Sequence, residues 1–436
     1  MSKKIKNQQK ILEKLKIEEL NPMQEEAKLA IHSSREVIIL SPTGTGKTLA
    51  FLLPIISELK PDLDGVQVMI LVPSRELAIQ IESVTREMGT GYKVNAVYGG
   101  RAISKDKMDL KHTPAILIGT PGRVADHVRR GTFSTESVAT LVLDEFDKSL
   151  EIGFDEEMEE ILSSLGSLHK KVLTSATDAV VIPKFAEIES PIVVNYLSEG
   201  VAQLVIKSII SPFKDKIHTL VDALCHLGNQ PGIIFCNYKD SIQRISQQLK
   251  DHDISHACYY GGLEQHDRER ALIKFRNKTH QLLIATDLAA RGLDIPELKF
   301  IIHYHLPLRE QEFTHRNGRT ARMKSNGTAF VLHWEEEELP DFVGQLEEEN
   351  IERAEPPSPS EWRTLFVSGG RKDKISKGDI VGLFFKSGKL KKEQMGLIEL
   401  KQDCAFVGVR ADGIKQLLTL IDNTRLKKKK VRVYEI

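Results

Sequence analysis

Short, largely apolar runs alternate with amphipathic stretches over the first 330 residues. The runs stand at 36–41 (EVIILS), 67–74 (QVMILVPS), 115–120 (AILIGT), 140–145 (TLVLDE), 232–237 (GIIFCN), 281–286 (QLLIAT) and 300–305 (FIIHYH). Runs without polar alternation belong to strands buried on both faces. The intervals between them are long enough for crossover helices, so the pattern predicts parallel α/β sheets. There are too many such runs for one compact sheet. A helix is predicted over 211–224, feeding a new strand at 232 after a polar passage near 197–206. A boundary is therefore placed at Ser198–Gln203, separating domains at 1–200 and 207–345.

Residues 334–362 are predicted to pass from an acidic helix into the Pro/Ser run 356–360, where proline removes backbone donors and stiffens the chain. This gives a linker at 346–362. Beyond it, 363–436 reads as short strands around helices, a small α+β unit. Three domains suit 436 residues.

Composition narrows the class. Hydrophobic residues at 41% and charged residues at 28% exclude wholesale disorder. No stretch approaches the roughly 18 apolar residues of a membrane helix, and the first residues lack the apolar core of a secretory signal. Cys225, Cys236, Cys258 and Cys404 are scattered, with no CxxC pair, so reduced thiols and a cytoplasmic location are expected. Net charge is zero, yet residues 361–436 hold 18 Lys and Arg against 9 Asp and Glu, the rest 43 against 52. A basic tail on an acidic body points to a polyanionic partner.

The segment Ser41-Pro42-Thr43-Gly44-Thr45-Gly46-Lys47-Thr48 lies between a predicted strand and a predicted helix. Its glycines let backbone N–H groups turn around phosphate oxygens, and the helix adds its positive end. Lys47 is placed for β/γ-phosphates and Thr48 for Mg²⁺. Asp144 and Glu145 end another strand, one to hold the hydrated metal and the other to orient or deprotonate a water. Arg316, Arg319 and Arg322 recur at spacing three, so one helix would present all three on one side.

With these motifs in place, residues 15–330 resemble the DEAD-box ATP-dependent RNA helicases. Asn21 to Gln24 resembles the end of the Q motif, Pro73 to Ala78 motif Ia, Gly99-Gly100 the GG turn and Thr120 to Arg123 motif Ib. Asp144 to Asp147 is similar to motif II, Ser175 to Thr177 to motif III, and Ile233 to Cys236 to motif IV. Gln265 and Arg268 look like the QxxR element, Ala285 to Asp294 motif V, and His315 to Arg322 motif VI. The resemblance implies two tandem RecA-like parallel-sheet domains that bind ATP and Mg²⁺. It gives Gln24 the adenine edge, Asp294 the ribose, and Arg319 and Arg322 the role of arginine fingers. Asp147, Ser175, Thr177 and His315 would couple nucleotide state to domain closure. Pro73, Arg75, Gly100, Arg101, Thr120, Gly122, Arg123, Arg268 and Thr286 would face RNA, contacting its backbone without reading sequence. Three positions depart from the pattern: Lys6-Asn7-Gln8 and Ile17 where the Q motif has aromatic residues, Phe146 for the alanine of motif II, and His305 for an aspartate.

Residues 363–436 resemble the C-terminal RNA-binding domain of DbpA-type DEAD-box proteins, an RRM-like α+β fold, through 364–374, 378–382, 395–398 and 431–433. Arg371, Lys372 and Lys374 are its candidate RNA contacts, with Lys427 to Lys430 beside them. Phe366, Phe384, Phe385, Phe406 and Tyr434 are expected mostly in its core, leaving recognition to shape and phosphate. The implied activity is a monomeric RNA-dependent ATPase unwinding short duplexes, with structured ribosomal RNA of the large subunit as target. An ATP-gated RNA clamp or chaperone, or a DNA-directed helicase, are the alternatives.

Overall fold

The computed structural model describes residues 7–177, 182–198, 204–286, 298–320 and 327–436. By Cα proximity they fall into two units, 7–198 and 204–436.

In the first unit the apolar runs become the strands of one parallel sheet. These are β1 (Glu36–Leu40), β2 (Val68–Leu71), β3 (Val94–Val97), β4 (Ile116–Gly119), β5 (Thr140–Leu143), β6 (Lys170–Ser175) and β7 (Ile192–Asn195), in the order β3-β4-β2-β5-β6-β1-β7. Every residue of β2 to β5 is buried, which explains runs without polar alternation. The helices are α1 (Gln8–Leu15), α2 (Pro22–Ser33), α3 (Lys47–Glu58), α4 (Arg75–Glu87), α5 (Ile103–Leu110), α6 (Pro121–Arg129), α7 (Phe146–Ile152) and α8 (Asp155–Ser163). They form apolar layers on both faces. One holds Ile31, Phe51, Leu52 and Ile81, the other Val124, Phe146, Met158 and Ile161. Because the strands are parallel, the loops after β1, β2, β3, β4, β5 and β6 all emerge at one edge, where open α/β sheets bind ligands.

The second unit repeats the plan with β8 (Leu204–Ser211), β9 (Gly232–Cys236), β10 (His256–Tyr259), β11 (Leu282–Thr286), β12 (Phe300–His303), β13 (Gly327–Trp334) and β14 (Glu347–Glu348), in the order β10-β11-β9-β12-β13-β8-β14. Its helices are α9 (Ile217–Leu227), α10 (Lys239–Asp251), α11 (Gln265–Arg276) and α12 (Glu310–Asn317). Two expectations need correction. The helix predicted over 211–224 starts only at Ile217, because Ser211 still pairs with Trp334 as the end of β8. The acidic helix predicted from residue 334 does not form. Pro340 cannot donate within a helix, Gly344 adopts φ +69, and Glu347–Glu348 instead join β8 as an edge strand. Residues 349–361 carry no helix or strand.

Residues 362–435 build a separate antiparallel sheet from β15 (Trp362–Val367), β16 (Met395–Leu400), β17 (Ala405–Arg410) and β20 (Val433–Glu435), in the order β16-β17-β15-β20. A small hairpin, β18 (Arg425–Leu426) and β19 (Lys429–Lys430), precedes the last strand. Leu365, Val367, Val407 and Val433 face a core closed by α13 (Lys377–Gly382) and α14 (Ile414–Ile421). This is the small α+β unit expected.

Candidate active site

The loop after β1 is built to receive an anion. Ser41 N continues the strand register onto Ser175 O at 3.1 Å. The chain then folds through Gly44 at φ +86 and Gly46 at φ +89, a region open to glycine, and α3 begins at Lys47. Ser41 Oγ donates to Thr45 Oγ1 at 2.8 Å, and Thr45 Oγ1 to Pro42 O at 2.9 Å, closing the loop on itself. The first N–H groups of α3 have no intrahelical acceptor and point out of this end, together with the helix's positive pole. Lys47 bonds to the carbonyls of Ser41 and Pro42, the latter at 3.0 Å. Burial pushes its ammonium down to about 8, against the pull of Glu145 and Asp144.

The segment before α2 braces this loop. Asn21 and Gln24 cap α2 reciprocally, each side chain accepting the other's backbone N–H. Asn21 Nδ2 then donates to Thr45 O at 2.9 Å and Gln24 Nε2 to Gly46 O at 3.1 Å. Upstream, Asn7 caps α1, whose Ile11 and Leu12 enter the core.

The acidic loop after β5 lies one strand from β6. Asp144 N bonds to Leu71 O, and Glu145 takes a left-handed conformation, φ +47 and ψ +50, at the start of α7. Thr174 on β6 holds both acids: its hydroxyl donates to Asp144 Oδ1 and accepts from Glu145 N at 3.1 Å. Lys148, fully buried, sets Nζ 3.2 Å from Glu145 Oε2. Thr177 Oγ1 donates to Asp147 Oδ2 at 3.4 Å, and its N–H to Ser175 Oγ at 3.0 Å, so the third motif touches the second. Burial, with the Glu145 charge next, lifts Asp144 to about 6, and burial also raises Asp147.

Among the described residues no three acidic, His or Cys side chains form a preformed metal cage. A buried Asp144 crowded by Glu145 nevertheless suits Mg²⁺, which is held through one or two carboxylates plus substrate phosphates rather than by an all-protein cage.

Neighbouring strands β3, β4 and β2 bring the next group together. Pro73 and Ser74 lead into α4, and the Arg75 side chain lies across Gly99 and Gly100, the latter at φ +78, where a Cβ would collide with the guanidinium. Arg101 pairs with Asp106 at 3.4 Å and with Asp109. Thr120 and Gly122 open α6, while Arg123 is nearly buried, with Nε donating to Tyr98 O at 3.1 Å and its far end to Arg101 O. The Arg101 and Arg123 guanidinium groups are thus turned to internal partners.

In the second unit Thr286 ends β11, and Arg268 stands on α11 beside Gln265. His315 and Arg316 lie on α12, with Arg316 donating to His305 O at 2.8 Å and Asn237 Oδ1 at 3.0 Å over the Phe235 ring. The expected single helix face of arginines is corrected: α12 stops at Asn317 before Gly318, leaving Arg319, 5% exposed, in the turn beyond. Asp294 and Arg322 lie outside the described residues.

In the tail, Arg371, Lys372 and Lys374 are exposed in a turn tied to the β18–β19 hairpin, where Lys429 meets Asp373 at 2.8 Å and Lys427 meets Asp379 at 2.8 Å. Lys428 and Lys430 are exposed on the same hairpin. Of the five aromatic candidates only Phe384 is fully buried in the core. Phe366, Phe406 and Tyr434 cluster on the opposite face of the sheet, Phe366 tilted against Tyr434 at 4.9 Å and edge-on to Phe406 at 5.5 Å between centroids. At Thr364 that face is covered by the second unit's own residues: Thr279 Oγ1 lies 2.7 Å and Asn277 Nδ2 3.3 Å from the Thr364 hydroxyl, and Arg276 pairs with Glu399 at 2.8 Å.

Sequence reading passed over Thr174 and Lys148. Thr174 immediately precedes Ser175, and Lys148 follows Asp147 by one residue. Adjacency to a motif was the available signal, and only the β5–β6 pairing turns it into contact.

Comparison with known proteins agrees with this geometry. The family model described as DEAD/DEAH box helicase matches residues 21–182, helicase conserved C-terminal domain 215–324, and DbpA RNA binding domain 364–435. The chain is 30% identical over 438 residues to ATP-dependent RNA helicase DbpA of Bacillus subtilis, covering 92% of this chain and 91% of that protein. It is 29% identical to DbpA of Escherichia coli over 429 residues, covering 95% and 94%. Among solved structures, the DEAD-box helicase Mss116 bound to single-stranded RNA and UDP-BeF superposes with TM-score 0.68 at 27% identity, covering 77% of this chain and 74% of that one. Dbp5 of Saccharomyces cerevisiae bound to RNA and ADP BeF3 gives 0.65 at 26% identity, covering 75% and 88%. With two RecA-like sheets carrying the helicase motifs and a basic α+β tail behind them, the chain belongs to the DEAD-box ATP-dependent RNA helicases and is an enzyme of the DbpA type.

Proposed function

We propose that this helicase works as a cytoplasmic monomer on structured ribosomal RNA during assembly of the large subunit, with the tail as its address. The tail's exposed Lys372, Lys374, Lys428 and Lys430 and its match to the DbpA RNA binding domain support that target. Each phosphate such groups neutralise adds about 0.7–0.9 to the salt slope of binding.

In this reading Ser41 to Gly46, Lys47 and the first turn of α3 hold the ATP phosphates, and Gln24 meets the adenine edge. Thr48 and Asp144 would hold Mg²⁺, which would offset charge on the β- and γ-phosphates. Glu145, turned by its left-handed backbone and by the Thr174 hydroxyl, aims at the attacking water and takes its proton. Arg319, with Arg322, stabilises the charge growing on the transferred phosphoryl oxygens, a contribution of about 10³–10⁵ in rate for such arginines. Asp294 contacts the ribose. Asp147, Ser175, Thr177 and His315 relay nucleotide state to the RNA-facing loops, so ATP and RNA favour the same state reciprocally.

The observation that carries the catalytic reading is the Thr174 hydroxyl holding Asp144 and Glu145 together. Its test is Glu145→Gln, assayed for ATPase with single-stranded RNA, ribosomal RNA fragments and DNA. Turnover should fall at least about 10²-fold while ATP-dependent RNA binding persists. Undiminished turnover would refute the role of Glu145. Equal stimulation of the unaltered protein by DNA would refute the RNA assignment, and RNA binding without any turnover would favour a clamp.

A further inference from the structure

Asp106, on α5 in the first unit, is a fully buried carboxylate with no place in the nucleotide chemistry. Its Oδ1 lies 3.4 Å from Arg101 Nε, in the segment following the Gly99-Gly100 turn. Its Oδ2 lies 3.6 Å from Arg123 Nε, in the first turn of α6, and 3.2 Å from Nε2 of His127 one turn further on. His127 is itself fully buried and held from its other nitrogen by Thr132 Oγ1 at 3.2 Å. Arg123 closes the ring by donating to the carbonyls of Tyr98 and Arg101. One carboxylate therefore joins side chains from two separate loops, those leaving β3 and β4.

A buried ion cluster of this kind seldom adds stability over an apolar filling of the same volume, so its contribution is geometric. We infer that Asp106 is a positioning residue for RNA: it locks the 98–101 segment and the start of α6 into one surface and fixes how the Gly99-Gly100 turn and the start of α6 meet the phosphate backbone. The inference rests on the proposed reading that these loops face RNA. Neutralising Asp106 leaves two guanidinium groups without their common anion. Arg123 keeps its bonds to the Tyr98 and Arg101 carbonyls and Arg101 its pairing with Asp109, but the two segments lose their shared anchor and spread over more arrangements. RNA must order them on binding, which weakens its apparent affinity but not the chemistry once it is bound.

The test is Asp106→Asn in the full chain, with ATPase measured without RNA and across a titration of a 20-nucleotide oligo(U). The expected result is RNA-free turnover within about twofold of the unaltered protein, an unchanged kcat at saturating RNA, and a KM for RNA raised about tenfold. In addition, Asp106→Asn should worsen the KM of Arg101→Gln by much less than tenfold, because both break the same link. A variant that loses RNA-free turnover and melts early, yet keeps its KM for RNA, would show a purely structural residue and overturn the inference. If Asp106→Asn does not fold, Asp106→Glu supplies the same readout, since it keeps the charge and displaces it by one methylene; an unchanged KM there overturns the inference equally. An unaltered protein indifferent to oligo(U) would instead bring down the RNA reading beneath it, and the inference with it. An RNA-responsive protein whose Asp106→Asn variant responds identically would remove this inference alone.

Discussion

Gln24 and Gly46 are fitted to each other: the Gln24 Nε2 donates to the Gly46 carbonyl at 3.1 Å, and a Cβ on Gly46 would collide with that same amide. Gly46 also holds φ +89, where an L side chain is strained by about 1–2 kcal/mol. Gly46→Ala should therefore displace the Q-motif glutamine and distort the phosphate loop together. The expected outcome is a rise of about tenfold or more in the dissociation constant of a fluorescent ATP analogue. The melting temperature should fall as well, by about 2–4 °C for each 1 kcal/mol of that strain the folded chain retains.

Thr174 offers a second lever. Its hydroxyl bonds Asp144 Oδ1 and receives the Glu145 N–H, so Thr174→Val keeps the shape and removes both bonds. Partners behind a metal ligand are typically worth 10–100-fold in metal affinity or activity. The Mg²⁺ concentration needed for half-maximal ATPase should rise by about that factor. Thr174→Ser, which restores the hydroxyl, should recover most of it.

Removing residues 361–436 should leave RNA-free ATPase in place and abolish preference for structured RNA. It also strips the cover from Asn277 and Thr279, both buried against Thr364. The truncated chain should melt lower, by about 2–4 °C for each 1 kcal/mol by which the second unit is destabilised. Scanning calorimetry checks the shift, and competition between a ribosomal hairpin and an unstructured RNA checks the preference.

Acid should loosen the second unit. Burial, reinforced by nearby cations, holds His280 and His305 down to about 4, against an ordinary value of 6.5. The folded chain thus refuses protons that the unfolded chain accepts. Stability is complete above about pH 6.5 and declines as pH falls from there toward 4. Replacing His280 by Gln should lessen, and not abolish, that decline in melting temperature between pH 6.5 and 4.5, because His305 still resists protonation, and should leave the value at pH 8 nearly unaltered.

The strands and the phosphate loop were readable because their signals are local. EVIILS followed by Ser41 to Thr48 specifies a buried strand, a turn with glycines at Gly44 and Gly46, and a helix start. What escaped depends on neighbours in space. Thr174 becomes important only because β6 pairs with β5, and Asp106 only because α5 and α6 pack together. The run after Trp334 has the charge pattern of a helix, yet Pro340, Gly344 and an open strand edge on β8 decide otherwise. In the tail the aromatic residues are expected mostly in the core, but Leu365 and Val367 fill it with Phe384, and Phe366, Phe406 and Tyr434 gather on the other face, where apolarity alone is a poor guide.

Phe146 stands where motif II commonly has alanine. Buried, it joins the apolar layer that also holds Leu143, Met158, Ile161 and Leu173, and it follows Asp144 and Glu145 directly in the chain. The carboxylates are in effect bolted to the interior of the sheet by the next residue along. Warming should give no interval in which the first unit is still compact but its nucleotide site is lost: ATP binding and cooperative melting of that unit should fail at one temperature.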